Sequence, residues 1–135
     1  MNRFLEGAAV AAIAILVAAS STASASAAER LPRTFHGSWT ADPAVCGQTG
    51  ELSPMHVDGR TIGGYEHGWT IRTWSRRGDL WPGRGTADDD QGSTPATVRL
   101  RLRADGTLDF ATSAREPFAD GPGLIRCPSR PGAGR

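Results

Sequence analysis

The chain contains no lysine, and all fifteen of its basic residues are arginine. That excludes Schiff-base chemistry on a lysine amine and removes the lysine that a phosphate-binding P-loop requires. An excess of one charge is also lacking. Fifteen arginines face fourteen carboxylates, a formal net charge of +1. So small an imbalance gives no field to hold nucleic acid or an anionic membrane, and neither is expected as a partner. Aliphatic residues are scarce too. Past residue 27, Leu, Ile, Val and Phe make up about 15% of the chain, low enough to raise the question of disorder. Trp39, Trp69, Trp74 and Trp81 add large apolar surface, so the expectation is a folded domain with a thin core. Helical periodicity is absent after residue 30. Glycine and proline together reach about 23% of the same stretch, which favours turns over long helices.

One unbroken apolar run is present, Gly7 to Ala19. It matches the apolar stretch of a secretory signal and is too short to span a bilayer. Arg3 precedes it. Small residues come after it, with A-x-A sites at Ala23-Ser24-Ala25 and Ala25-Ser26-Ala27. The expected organisation is a signal peptide, 1–27, a single β domain, 28–127, and a flexible tail, 128–135. The expected location is secreted or periplasmic, with no stable membrane anchor once the signal is cleaved.

Two cysteines remain, Cys46 and Cys127. In an exported chain they are expected to form a disulfide, and neither has the CxxC partner of a zinc site. The closed loop of about 82 residues contributes roughly 4–5 kcal/mol by the chain-entropy account.

Alternation dominates the remaining pattern. Val98, Leu100 and Leu102 alternate with Arg99, Arg101 and Arg103, as a half-buried strand does. A three-residue loop, Ala104-Asp105-Gly106, then pairs Leu102 with Leu108, Leu100 with Phe110 and Arg101 with Asp109. A two-residue loop at Asp105-Gly106 would mix apolar and charged faces. A second hairpin is expected at Asp58-Gly59, with Met55 opposite Ile62. Further turns are expected near His67-Gly68 and from Arg76 to Asp79. Pro82 and Gly83 are expected to end or bend the strand that starts at Leu80, and Ala87 to Pro95 to form a polar loop. Phe35 to Trp39 reads as a first strand and Gly123 to Arg126 as a last. The fold class expected is all-β: a small antiparallel barrel or sandwich of six to eight short strands with one disulfide.

Candidate chemistry is sparse. His36, His56 and His67 have no second ligand at metal-like spacing, so no metal and no cofactor is expected. Glu66-His67 is the nearest approach to an acid–base pair. Asp88-Asp89-Asp90 departs from the EF-hand pattern, since the glycine is fifth and position twelve is Arg99. Arg77-Gly78-Asp79 suits a hairpin turn. No G-x-S-x-G is present. Trp69 and Trp74 differ by five in number, so a regular strand puts them on opposite faces. On that count Tyr65, Glu66, Arg72 and Trp74 form the candidate binding patch.

Phe35-His36-Gly37-Ser38-Trp39 carries a G-x-W that resembles the lipocalin and wider calycin signature. The resemblance implies a barrel in which a late arginine packs over the tryptophan, so Gly37, Trp39 and Arg126 take structural roles. The sequence lacks that family's T-D-Y and is shorter. The same Phe35–Trp39 segment, Cys46, Tyr65-Glu66 and Cys127 together resemble the layout of small secreted bacterial proteins, a layout that brings no established activity with it. The functional expectation is a non-catalytic module binding a small molecule or a protein. The alternatives are an inhibitor of an extracellular or periplasmic hydrolase, and a small enzyme using Glu66.

Overall fold

A computed structural model describes residues 29–129. The expected signal peptide and residues 130–135 of the expected tail lie outside the described residues. Eight strands make up the domain: β1 (Gly37–Thr40), β2 (Met55–Val57), β3 (Thr61–Gly63), β4 (Gly68–Trp74), β5 (Leu80–Asp89), β6 (Gly92–Leu102), β7 (Leu108–Ala111) and β8 (Ile125–Arg126). Short 3-10 turns occupy Arg33–Phe35, Pro43–Val45 and Gly50–Leu52.

The strand order is β7-β6-β5-β4-β3-β2-β1-β8, and every paired neighbour is antiparallel. From β1 to β7 each strand therefore pairs with the next in sequence, an up-and-down meander. β8 returns to the far side of β1. Just before β8, Leu124 exchanges both backbone hydrogen bonds with Leu108, at 2.9 and 2.8 Å. That bridge nearly closes the sheet into a barrel and decides barrel over sandwich. The Cys46–Cys127 disulfide forms, linking the segment after β1 to the residue after β8.

The inward face is set by the register. Val57 lies opposite Ile62, and Ile62 opposite Trp69. Leu100 lies between Trp81 and Phe110. Cross-strand partners share a face, so these residues converge on one interior. Trp39, Val57, Ile62, Val98, Leu100 and Leu108 are fully buried there. The β6–β7 register is the one the alternation predicts, with Leu102 opposite Leu108, Leu100 opposite Phe110 and Arg101 opposite Asp109. Gly106 sits at φ 85° in the turn, where a side chain would be strained.

Several expectations are corrected. The β2–β3 turn has its tip at Gly59-Arg60, so Val57, not Met55, lies opposite Ile62, and Met55 pairs with Trp39. The Asp58 carboxylate moves the tip along by accepting from the Arg60 and Thr61 amides at 2.7 Å. The pairing slips by two residues, so the inward face is preserved.

Pro82 and Gly83 do not end a strand, and 87–95 is not a loop. β5 and β6 pair continuously from Leu80 opposite Arg101 to Asp89 opposite Gly92. Pro82 lies opposite Arg99, and Thr86 opposite Pro95. Both prolines thus fall on the same alternate set of pairs, where one parity of the ladder leaves the N–H position facing away. Gly83 makes room for its neighbour across the sheet: a Cβ there would lie 2.7 Å from the Trp74 ring.

The third correction concerns the tryptophans. Ile71 lies opposite Gly85 but Thr73 lies opposite Arg84, so Arg72 is an extra residue in a β-bulge. The bulge resets the alternation. Trp69, Ile71 and Trp74 therefore all face inward, and Trp74 is a core residue at 6% exposure. Gly85 allows the close approach, since a Cβ there would sit 1.8 Å from the Thr70 carbonyl oxygen.

The first and last strands are shorter than expected. Phe35 ends a 3-10 turn instead of opening β1, and only Ile125–Arg126 form β8.

Candidate functional site

The barrel has two unlike ends. The lower end carries the β2–β3, β4–β5 and β6–β7 turns and is plugged by the segment before β1. Leu31 and Phe35 are buried there, and Phe35 meets Trp81 edge-on at 6.1 Å. The Trp74 indole N–H donates to the Gly59 carbonyl at 2.9 Å. Arg126 completes the plug. Its guanidinium carbon lies 4.3 Å from the centre of the Trp39 ring, and its nitrogens donate to the Thr34 and His36 carbonyls. Gly37 lets it pass, because a Cβ there would lie 2.9 Å from Arg126 Nη1. The Trp39 N–H donates to the Phe35 carbonyl at 2.9 Å.

The upper end carries the β3–β4 turn, residues 64–67, and the β5–β6 tip. Met55, Trp69 and Phe110 face inward at this level and remain only partly buried. Trp69 and Phe110 meet edge-to-face at 5.2 Å. Above them lies an open cleft of about 360 Å³, lined also by Glu51, Tyr65, Glu66 and His67. Tyr65 is 58% exposed, and Leu52 in the adjoining 3-10 turn is 63% exposed. A second, shallower groove shares Tyr65, Glu66 and Trp69 and continues to Asp88 and Asp89.

Of the four patch residues named from sequence, Tyr65 and Glu66 line this cleft. Arg72 and Trp74 line another at the lower end, with Arg30 and Arg60. The four do not converge. The alternation argument missed Met55 and Phe110, although both are apolar residues at strand ends beside inward neighbours. Glu51 lies in a stretch with no strand pattern at all.

The arginine stripe on β6 does not form an anion site. Arg101 and Arg103 each bond to Asp109 at 2.7 Å, and Asp109 is buried. Hydrogen bonding from Arg103, opposed by burial and helped by Arg101, holds the Asp109 carboxyl below the usual carboxylate range. Arg99 donates to the Ser113 and Glu116 carbonyls, and Arg103 to Gly121 at 2.8 Å. Phe118 lies under Arg99 and Arg101, at 4.8 and 4.6 Å. The stripe therefore latches the β7–β8 connection onto the outer face of the sheet.

At the upper end, Asp88 accepts from the hydroxyls of Ser93, Thr70 and Thr86. The Ser93 and Thr70 bonds hold its carboxyl below the ordinary value. Glu66 is exposed in a turn, with no partner among the described residues to set it up as an acid or base. No cluster of His, Cys, Asp and Glu suited to a metal occurs among the described residues.

No protein-family model, curated protein or solved structure matches the chain. The chemistry open to the cleft is decided by its own geometry and side chains.

Proposed function

We propose that this chain is an exported, non-catalytic binding module and that its partner is a protein docking on the upper cleft. The observation that carries this reading is a full interior beneath an open aromatic mouth. Six side chains at 0% exposure fill the barrel, so an occupant has to bind at the rim. A shallow cleft of about 360 Å³ is at the small end for an enclosing ligand site and suits one or two protruding side chains of a larger partner. Tyrosine and tryptophan are the residue types that most often anchor protein interfaces.

Export is supported by the disulfide, which belongs to oxidising compartments. No helix among the described residues is long and apolar enough to cross a membrane. A second reading, inhibition of an extracellular or periplasmic hydrolase, is favoured by one feature. The exposed residues 89–95 form a hairpin tip that a target's groove could receive.

Native mass spectrometry on protein recovered from the extracellular or periplasmic fraction tests the proposal. The expected result is a discrete added protein mass, lost in Tyr65→Ser and kept in Arg77→Ala at the opposite end. A complex indifferent to Tyr65, or an added mass of small-molecule size, would overturn it.

A further inference from the structure

Resting on that reading, we infer that the partner segment presents a cationic side chain, arginine or lysine, to the cleft. The first reason is the distribution of charge. Arg30, Arg33, Arg60 and Arg72 surround the lower cleft. Arg77, Arg84 and Arg99 line a third cleft on the side of the barrel. Among the described residues no arginine lines the upper cleft or the groove that continues from it. Four carboxylates do: Glu51 and Glu66 in the cleft, Asp88 and Asp89 along the groove. In a chain whose charges nearly cancel, this end is locally acidic, and a cation is drawn to it.

The second reason is that the cleft's polar groups are idle. Neither Glu51 nor Glu66 has a hydrogen bond or ion pair with another described residue. By contrast, Asp109 is bonded to two arginines, and Asp88 to three hydroxyls. The Trp69 indole N–H, like that of Trp81, donates to no described residue, whereas those of Trp39 and Trp74 each hold a carbonyl.

The third reason is the match to the shape of the side chain. Arginine and lysine have an apolar stem and a charged head. Met55, Trp69 and Phe110 form the apolar floor, while Glu51 and Glu66 stand with Tyr65 at the rim. A stem laid on the floor puts the head between carboxylates and beside aromatic faces, where ion pairing and cation–π attraction act together. A neutral apolar anchor would cover the floor and leave both carboxylates without a partner. An acidic anchor would meet like charge.

The test compares two probes of the same shape. Acetyl-Gly-Arg-Gly-amide and its citrulline counterpart are titrated into the mature full chain at low salt, following the Trp69 indole resonance by NMR. The arginine peptide is expected to shift Trp69 and Phe110 and to bind about fivefold or more tighter than the citrulline peptide. Raising the salt should narrow that ratio. In a Glu51→Gln, Glu66→Gln double variant, both at exposed positions, the two peptides should bind alike.

Equal binding of the two peptides to the wild type overturns the charge inference and leaves the docking site standing. Shifts confined to Asp88–Asp90, or no shift at all, also overturn it. The Tyr65-dependent complex then reports separately on the docking reading. A Trp69 resonance that moves with protein concentration alone would make the occupant a second copy of this chain, and reject a basic foreign partner.

Discussion

At the lower end of the barrel, Leu31 and Phe35 press into the strand ends and both are 4% exposed. At the upper end, Met55, Trp69 and Phe110 face the same interior and no described residue covers them completely. Both ends are aromatic. They differ in the groups that lie beyond the last apolar layer. Below, carbonyls take up the Trp39 and Trp74 N–H groups and the Arg126 guanidinium, while the Trp81 N–H and the buried His36 Nε2 have no partner among the described residues. Above, the neighbours are an exposed tyrosine and two carboxylates without a partner among the described residues. An end covered by the chain's own segment, with most polar groups held by partners, makes a plug, and carboxylates left open beside exposed aromatics make a binding surface.

The disulfide should have the largest effect of any single feature. It ties the segment that leads to Gly50–Leu52, at the upper end, to the residue after β8. By the chain-entropy account, Cys46→Ser with Cys127→Ser should lower stability by roughly 4–5 kcal/mol in urea unfolding. A loss under about 2 kcal/mol would mean that the barrel closes without it.

The tryptophans give the sharpest comparison of the two ends. Trp74→Ala should cost about 3–5 kcal/mol, as a buried aromatic does. Trp69→Ala, at the open mouth, should cost clearly less in the same denaturation assay. Equal losses would show that the upper end is as well packed as the lower.

Gly85→Ala tests the bulge between the two tryptophans. Its Cβ would meet the Thr70 carbonyl at 1.8 Å, so a loss of about 1–3 kcal/mol is expected. The near-ultraviolet dichroism of the tryptophans should also change. No change would mean that the bulge is not what turns Trp74 inward.

Acid unfolding separates the carboxylates. Asp109 and Asp88 are both held below their unfolded values. Near pH 4 the unfolded chain therefore binds more protons. Their contribution is present above the unfolded pKa and is lost as pH falls through the folded one. Asp109→Asn should flatten the acid side of the stability–pH curve more than Asp88→Asn, because Asp109 is buried against two arginines. The reverse order would remove the latch from the account of stability.

The smallest effect should be that of Tyr65→Ser on folding. A surface change of this kind should stay within about 0.5 kcal/mol while removing the partner. A large loss would make Tyr65 part of the packing.

Parts of both ends are legible in the residue order. Val98–Phe110 reads directly because alternation and one turn glycine both favour a single register. The two cysteines have one way to pair. Half of the cleft, Tyr65 and Glu66, is also visible, because tyrosine beside a turn glycine marks an exposed aromatic. The other half is not. Glu51 sits in a 3-10 turn without strand periodicity. Met55 and Phe110 read as ordinary core until the barrel's height shows that they sit at its rim.

Residue order is enough to make the chain all-β, to join Cys46 to Cys127, and to pair β6 with β7 as they stand. Each of these depends on near neighbours in the chain, or on a choice with one outcome. The remaining features were settled where strands meet. Whether Arg72 bulges depends on Gly83 and Gly85 across the sheet. Whether Pro82 ends a strand depends on the parity of its partner. Whether the sheet closes depends on Leu108 meeting Leu124. Pairwise terms between distant residues carry no period along the chain, so they become visible only when the strands are side by side.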